Sequence, residues 1–141
     1  MTRRIGTRSV GALGLTALAC AGLAAAAFAG VHKYDTKLTI TRGGGGFAPD
    51  VWHGEVKSEK GKCQRERQVV LFLQRPGADR KLATTLSQGA GPDEGSWSLD
   101  LHRENLAEVA QADKGKYAKA RRKSGNGYVC RADRAPNQGT I

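Results

Sequence analysis

Apolar and polar residues alternate in short runs along most of the chain beyond residue 30. The clearest run places Trp97, Leu99 and Leu101 on one side of a segment whose other side carries serine and aspartate. Alternation with a period of two predicts a half-buried β-strand, with Trp97 in the core. The continuous apolar run at 69–73 is soon followed by a Pro-Gly turn, which indicates a central strand covered on both faces.

Weaker patterns complete a set of seven predicted strands. Besides the two above, they lie at 34–41, 52–56, 82–86, 117–120 and 128–131. The segment 124–127 joins the last two strands, and its Asn-Gly pair favours a hairpin turn. Short strands separated by regular turns predict an all-β fold, a single β-sandwich of about seven strands.

Four features do not follow the strand pattern. The four glycines at 43–46 lack the lysine and hydroxyl residue of a phosphate-binding loop, and no helix pattern follows, so we expect a flexible connector. Apolar residues with helical spacing predict one short helical turn at 106–112. Trp52 lies close to a predicted loop, which leaves it either in the core or exposed as a sugar-stacking platform. The tail at 135–141 has no clear pattern.

The N-terminal segment differs in character from the rest of the chain. Three arginines precede an apolar stretch at 10–27 and a small-x-small site at 27–29. This order predicts a secretory signal peptide at 1–29, followed by one exported domain at 30–141. The alternatives are an uncleaved membrane anchor, a twin-arginine signal and a lipidated Cys20.

Two cysteines, Cys63 and Cys130, remain when the predicted signal peptide is removed. In an oxidising compartment such a pair is expected to form a disulfide. A bridge that closes so long a loop stabilises a domain by about 4 kcal/mol on the chain-entropy model. A metal site lacks partners, because His32, His53 and His102 are scattered and no C-x-x-C or H-x-x-x-H spacing occurs. We therefore expect a disulfide, with no metal and no cofactor.

The chain is short and strongly basic. Its 141 residues carry 23 lysines and arginines against 13 acids, a net charge of +10. Residues 1–29 hold three arginines and no acid, so their removal lowers this charge by three, to +7. The length leaves no room for a two-domain cofactor enzyme. The charge is expected to attract anionic polymers.

Much of the basic excess lies in one stretch, 114–123, because the segment 57–67 also contains compensating glutamates. A solvated strand face is the alternative to a binding site for such a stretch. The candidate anion-binding residues are Lys114, Lys116, Lys119, Arg121, Arg122 and Lys123.

The predicted strands carry short motifs in a recognisable order, at 54–56, 69–72, 83–85, 93–99 and 115–117. Their series resembles the carboxypeptidase regulatory-like, or prealbumin-like, β-sandwich domain. It is more closely similar to small exported bacterial proteins that begin Y-D-T-K-L-T-I, as at 34–40, and carry V-K-S-x-x-x-x-C, as at 56–63, G-x-Y-A-K, as at 115–119, and a late cysteine. The turn at 88–94 and the segment 104–114 are longer than in that family. The resemblance implies a Greek-key sandwich that serves as a stabilising or binding appendage.

The function expected from these observations is that of a secreted, monomeric, non-enzymatic module. It would be structural or adhesive at the cell envelope and would bind an anionic wall polymer or polysaccharide, without a specific nucleic acid. One alternative is a small hydrolase such as a ribonuclease, which would use His53, His102, Glu55 and a basic phosphate clamp and would need two acid–base groups to converge on one site. Another is a protease inhibitor or toxin-like effector that presents the loop 88–95.

Overall fold

The computed structural model describes residues 30–106 and 115–136. They form strands joined by turns, with one short 3-10 helix at Gly61–Cys63. The fold is therefore all-β, as predicted. The described residues contain eleven strands, more than the seven expected, because the predicted strand at 34–41 is divided among three strands and two further strands form at 123–125 and 133–136. The strands are β1 (His32–Tyr34), β2 (Lys37–Leu38), β3 (Thr41–Gly44), β4 (Phe47–Lys57), β5 (Gln68–Leu73), β6 (Arg80–Leu86), β7 (Ser96–Asp100), β8 (Lys116–Ala120), β9 (Lys123–Gly125), β10 (Tyr128–Cys130) and β11 (Asp133–Pro136).

Two four-stranded antiparallel sheets pack face to face as a sandwich. In one, the β5 sheet, the strand order is β11-β8-β5-β6. In the other, the β4 sheet, β2 and β3 pair with one edge of the long strand β4 and β7 pairs with the opposite edge. A small third sheet has the order β1-β10-β9, with β1 parallel to β10.

The core between the two sheets packs two tryptophans against aliphatic and alanine side chains. Trp52 and Trp97 of the β4 sheet are buried, in the same cluster as Ala118 and Ala120 of the β5 sheet. This confirms Trp97 as a core residue, and the interpretation of Trp52 as an exposed platform is wrong. Gly54 is required for the packing, because a Cβ there would lie 2.1 Å from the Thr39 carbonyl oxygen.

The prediction of one strand at 34–41 is wrong in its extent. The chain leaves the strand conformation after Tyr34, where Ser58 Oγ donates to the Asp35 carbonyl at 2.6 Å. Arg67 Nη1 donates to Thr36 Oγ1 at 2.9 Å. These contacts separate β1, which joins the small sheet, from β2, which joins the β4 sheet.

The glycine run at 43–46 is part of a β-hairpin, so the expectation of a flexible connector is wrong. Gly43 and Gly44 end β3, and Gly45 and Gly46 form the turn into β4. All four have positive φ, between 55° and 91°. Only glycine adopts such a series of left-handed conformations at little cost.

The C-terminal strands pair differently from the prediction. The Asn-Gly turn is present, but it joins β9 to β10, with Gly125 opposite Tyr128. The predicted strand at 117–120, observed as β8, pairs instead with β5 and β11. Strand β11 includes Ala135, which the sequence pattern left in the tail.

Several expectations concern segments beyond the described residues. These are the signal peptide at 1–29, Cys20 and the tail from residue 137 onward. Of the predicted helical turn at 106–112, the structure describes only Leu106, which packs against the core. Among the described residues, no helix is both long and apolar enough to span a membrane.

Candidate anion-binding surface

A buried arginine organises the end of the sandwich near the disulfide. The side chain of Arg67 has no exposed surface, and each of its five N–H groups donates a hydrogen bond. Nε and Nη2 donate to the carbonyl of Arg121, Nη2 also donates to that of Arg131, and Nη1 donates to that of Cys63 and to Thr36 Oγ1. Burial lowers the pKa of Arg67 from its ordinary value. The acceptors lie on four separate segments, so this one side chain holds the segments together.

The predicted disulfide between Cys63 and Cys130 is confirmed. It joins the 3-10 helix to β10 across 67 positions, with the two Cα atoms 5.4 Å apart. Arg67 binds the carbonyl of Cys63 and that of Arg131, the residue after Cys130. The bridge and the buried guanidinium therefore secure the same part of the structure.

Three of the candidate basic residues share one surface. Lys119, Arg121 and Arg122 are exposed and surround a concavity of about 440 Å³, together with Phe72 and Ala132. No carboxylate of the described residues forms an ion pair with any of these three side chains. We call Phe72, Lys119, Arg121 and Arg122 the basic surface.

Of the other three candidates, the two that the structure describes do not line this concavity. Lys116 is only 2% exposed, and its Nζ lies 5.1 Å from the centre of the Trp52 ring, on the core side of β8. Including it in an exposed anion-binding face is therefore wrong. Lys123 is half-buried and donates to the Arg65 carbonyl at 2.8 Å. Lys114 lies outside the described residues.

A stack of side chains extends the basic surface across the outer face of the β5 sheet. The rings of Phe72 and Tyr117 stack with their centres 5.2 Å apart. The Arg134 guanidinium lies 3.8 Å from the centre of the Tyr117 ring, and Arg134 is paired across the strands with Lys119. The stack orients Phe72 and places a fourth cation beside Lys119.

A hydrogen bond closes the base of this stack. The Tyr117 hydroxyl donates to Asp79 Oδ2 at 2.6 Å. This bond, followed by one from the Arg75 amide, lowers the pKa of Asp79. The same bond, followed by desolvation, raises the pKa of Tyr117. The ring position is thus coupled to the ionisation of Asp79.

The residues considered for hydrolysis are only partly brought together. His53 and Glu55 line one concavity on the outer face of the β4 sheet. His102 does not line it, and its Nδ1 lies 3.9 Å from Asp50 Oδ2 at the exposed end of β7. His53 Nε2 lies 2.9 Å from the Gly43 carbonyl oxygen. His53 and Glu55 thus share a concavity from which His102 is absent, and hydrolysis stays a prediction.

The loop at 88–95 is fixed by its own hydrogen bonds. The Gly95 amide donates to the Gln88 carbonyl, and the Ser96 amide donates to the Asp93 carbonyl at 2.9 Å, which confirms the predicted turn at Asp93 and Gly95. A Cβ at Gly95 would lie 2.4 Å from the Val56 carbonyl oxygen. The use of this loop by an inhibitor stays a prediction.

The sequence pattern did not identify two residues that shape the candidate site, Arg67 and Arg134. Arg67 ends a segment of mixed charge, and its only signal is its position directly before the buried strand β5. Arg134 lies between the predicted strand at 128–131 and the tail, where no element was predicted. The described residues contain no group of three or more histidine, cysteine, aspartate or glutamate side chains able to hold a metal.

No protein-family model matches the chain, and comparisons with curated proteins and with solved structures find no match either.

Proposed function

We propose that this protein is a secreted, non-enzymatic β-sandwich module that attaches to an anionic polymer of the cell envelope through the basic surface. The observation that carries the proposal is the grouping of Lys119, Arg121 and Arg122 around one concavity without an ion-pairing carboxylate among the described residues. Unneutralised cations at an exposed concavity attract anions over about one Debye length, roughly 10 Å at moderate salt.

The backbone beneath the basic surface is held in place before any ligand arrives. Arg67 donates two hydrogen bonds to the Arg121 carbonyl, at 3.1 and 2.6 Å. The side chains of Arg121 and Arg122 therefore extend from a fixed segment, and less conformational entropy is lost on binding. Arginine also suits phosphate and carboxylate groups, because its planar fork can donate two parallel hydrogen bonds.

The chemistry of the basic surface favours binding over catalysis. Its concavity is lined by Phe72, Ala132 and three cationic side chains. None of these residue types ordinarily changes its protonation near neutral pH, as a general acid or base would need to do. Export is supported by the predicted signal peptide at 1–29 and by the disulfide, which is typical of oxidising compartments.

The proposal is tested by retention of the purified protein on immobilised polyphosphate and polygalacturonate over a salt series. The variant Lys119→Gln/Arg121→Gln/Arg122→Gln is compared with Lys33→Gln/Lys62→Gln/Arg75→Gln. The second variant loses the same charge at exposed residues that do not line the concavity. We expect the first variant to elute at much lower salt than the wild type, and the second to elute close to it. Equal losses in the two variants, or no retention of the wild type at low salt, would contradict the proposal.

The same preparations are incubated with RNA. Intact RNA is expected for all three proteins. Cleavage by the wild type that is abolished by His53→Ala would contradict a non-enzymatic role and support the hydrolase alternative.

A further inference from the structure

A second concavity lies on the opposite side of the sandwich from the basic surface. It has a volume of about 540 Å³ and occupies the outer face of β4 and β7. We call it the Phe47 groove. The lining side chains that matter here are those of Phe47, His53, Glu55, Asp93, Ser96 and Ser98.

An exposed aromatic ring forms one wall of the Phe47 groove. Phe47 is 44% exposed, at the start of β4. Its ring stacks on that of His53 with the centres 4.1 Å apart and the planes 19° apart. His53 is held in turn by the contact between Nε2 and the Gly43 carbonyl oxygen. The ring is therefore fixed in an exposed orientation before anything binds.

The floor and the far wall of the Phe47 groove are polar. The pairings of His53 with Ser98 and of Glu55 with Ser96 place all four side chains on the outer face of the sheet. Glu55 Oε2 forms an ion pair with Lys57 Nζ at 2.8 Å, and Ser96 Oγ donates to the Asp93 carbonyl at 2.7 Å. Among the described residues, the Asp93 carboxylate and the Ser98 hydroxyl have no partner, so they can bond to a ligand.

We propose that the Phe47 groove binds an uncharged, hydroxyl-rich ligand, namely a neutral saccharide chain. The negative face of an aromatic ring attracts the weakly positive C–H groups of a sugar ring, while the carboxylate and the hydroxyl group can accept or donate hydrogen bonds with sugar hydroxyls. The carboxylates of Glu55 and Asp93 disfavour an anion here, in contrast to the basic surface. This inference does not depend on the function proposed above.

The test is titration of the purified protein with cellohexaose and with chitohexaose, followed by amide chemical shifts in NMR spectra. We expect saturable shifts at residues of β4 and β7, with at least one of the two saccharides. Phe47→Ala is expected to weaken the binding about tenfold, which corresponds to about 1.4 kcal/mol. The matched control is Leu86→Ala, which removes an even more exposed apolar side chain from the other sheet and should leave the affinity unchanged.

A second variant, Ser98→Ala, tests the polar wall without disturbing the aromatic stack, and we expect it to weaken saccharide binding several-fold. The proposal is overturned if neither saccharide shifts these residues, or if Phe47→Ala and Leu86→Ala have the same affinity. It is also overturned if pentalysine saturates the groove and the saccharides do not, because the acidic side chains would then select a cation.

Discussion

The two outer faces of the sandwich are held in place in different ways. The basic surface depends on contacts between distant parts of the chain, since Arg67 binds the carbonyls of Arg121 and Arg131, which are 54 and 64 positions away. The aromatic wall of the Phe47 groove depends on a hairpin, in which His53 contacts the Gly43 carbonyl only 10 positions away. Substitutions at residues far from the basic surface in the sequence should therefore weaken its binding of anions. Substitutions in the hairpin should affect the Phe47 groove alone.

The largest effect is expected from removing the buried guanidinium. Arg67→Met leaves the carbonyls of Cys63, Arg121 and Arg131 without this donor, and we expect a loss of about 5 kcal/mol in the free energy of unfolding. Urea unfolding measures it. The control is Arg103→Met, which removes an exposed ion pair with Asp100 and should cost under about 1 kcal/mol. Similar losses in both variants would show that Arg67 does not organise this end of the sandwich.

Removing the disulfide should come next in size. Cys63→Ser/Cys130→Ser releases a constraint across 67 positions, and the chain-entropy model gives a loss of about 4 kcal/mol. Because the bridge secures the same segments as Arg67, we also expect weaker retention on polyphosphate. The variant should be insensitive to a reductant that destabilises the wild type. An unchanged unfolding midpoint for the wild type in reductant would contradict this expectation.

A smaller and local effect is expected at the glycine hairpin. Gly43 has a φ of 55°, and a Cβ there would lie 3.2 Å from Pro49 Cα, so Gly43→Ala should cost about 1 kcal/mol or slightly more. It should weaken binding in the Phe47 groove and leave retention on polyphosphate unchanged. Gly89→Ala is the control, because nothing lies within 4 Å of its added Cβ. If Gly43→Ala lost as much retention on polyphosphate as binding in the Phe47 groove, the distinction between the two faces would be contradicted.

The smallest effect is a dependence on pH at the base of the aromatic stack. The pKa of Asp79 is lower in the folded protein, so its contribution to stability is present above its ordinary pKa of 3.8 and is lost as the pH falls through the lowered value. The pKa of Tyr117 is raised, so its contribution is present below 10.0 and is lost as the pH rises through the raised value. The free energies of unfolding in urea of the wild type and of Tyr117→Phe should therefore differ most between pH 3.8 and pH 10.0. Tyr34→Phe is the control, and a difference that does not change with pH would contradict the coupling.

Much of the fold could be predicted because it depends on neighbouring residues. The alternation of Trp97, Leu99 and Leu101 with polar residues is a local property, and all three are buried as predicted. The apolar run at 69–73 lies in β5, a central strand of its sheet. The four glycines misled the interpretation, because a run of this residue type is compatible with both a flexible connector and a tight hairpin.

The candidate site was predictable only in part. The stretch 114–123 contains the three exposed cations of the basic surface, but the sequence could not separate them from Lys116. Alternation along β8 assigns Lys116 and Tyr117 to opposite faces of the sheet, without showing which face is covered. Arg134 is brought beside Lys119 only by the pairing of β11 with β8.

The sequence by itself determined the all-β class, the buried alternating positions and the cysteine pair, because these follow from the period of a strand and from the chemistry of a thiol pair. Tertiary structure alone decided which cations reach solvent. Arg67 and Lys116 are as charged as their exposed neighbours in the sequence, yet one is surrounded by carbonyl groups and the other lies over the Trp52 ring. The reason is that burial of a cation depends on partners from distant segments, and only the folded chain brings those partners together.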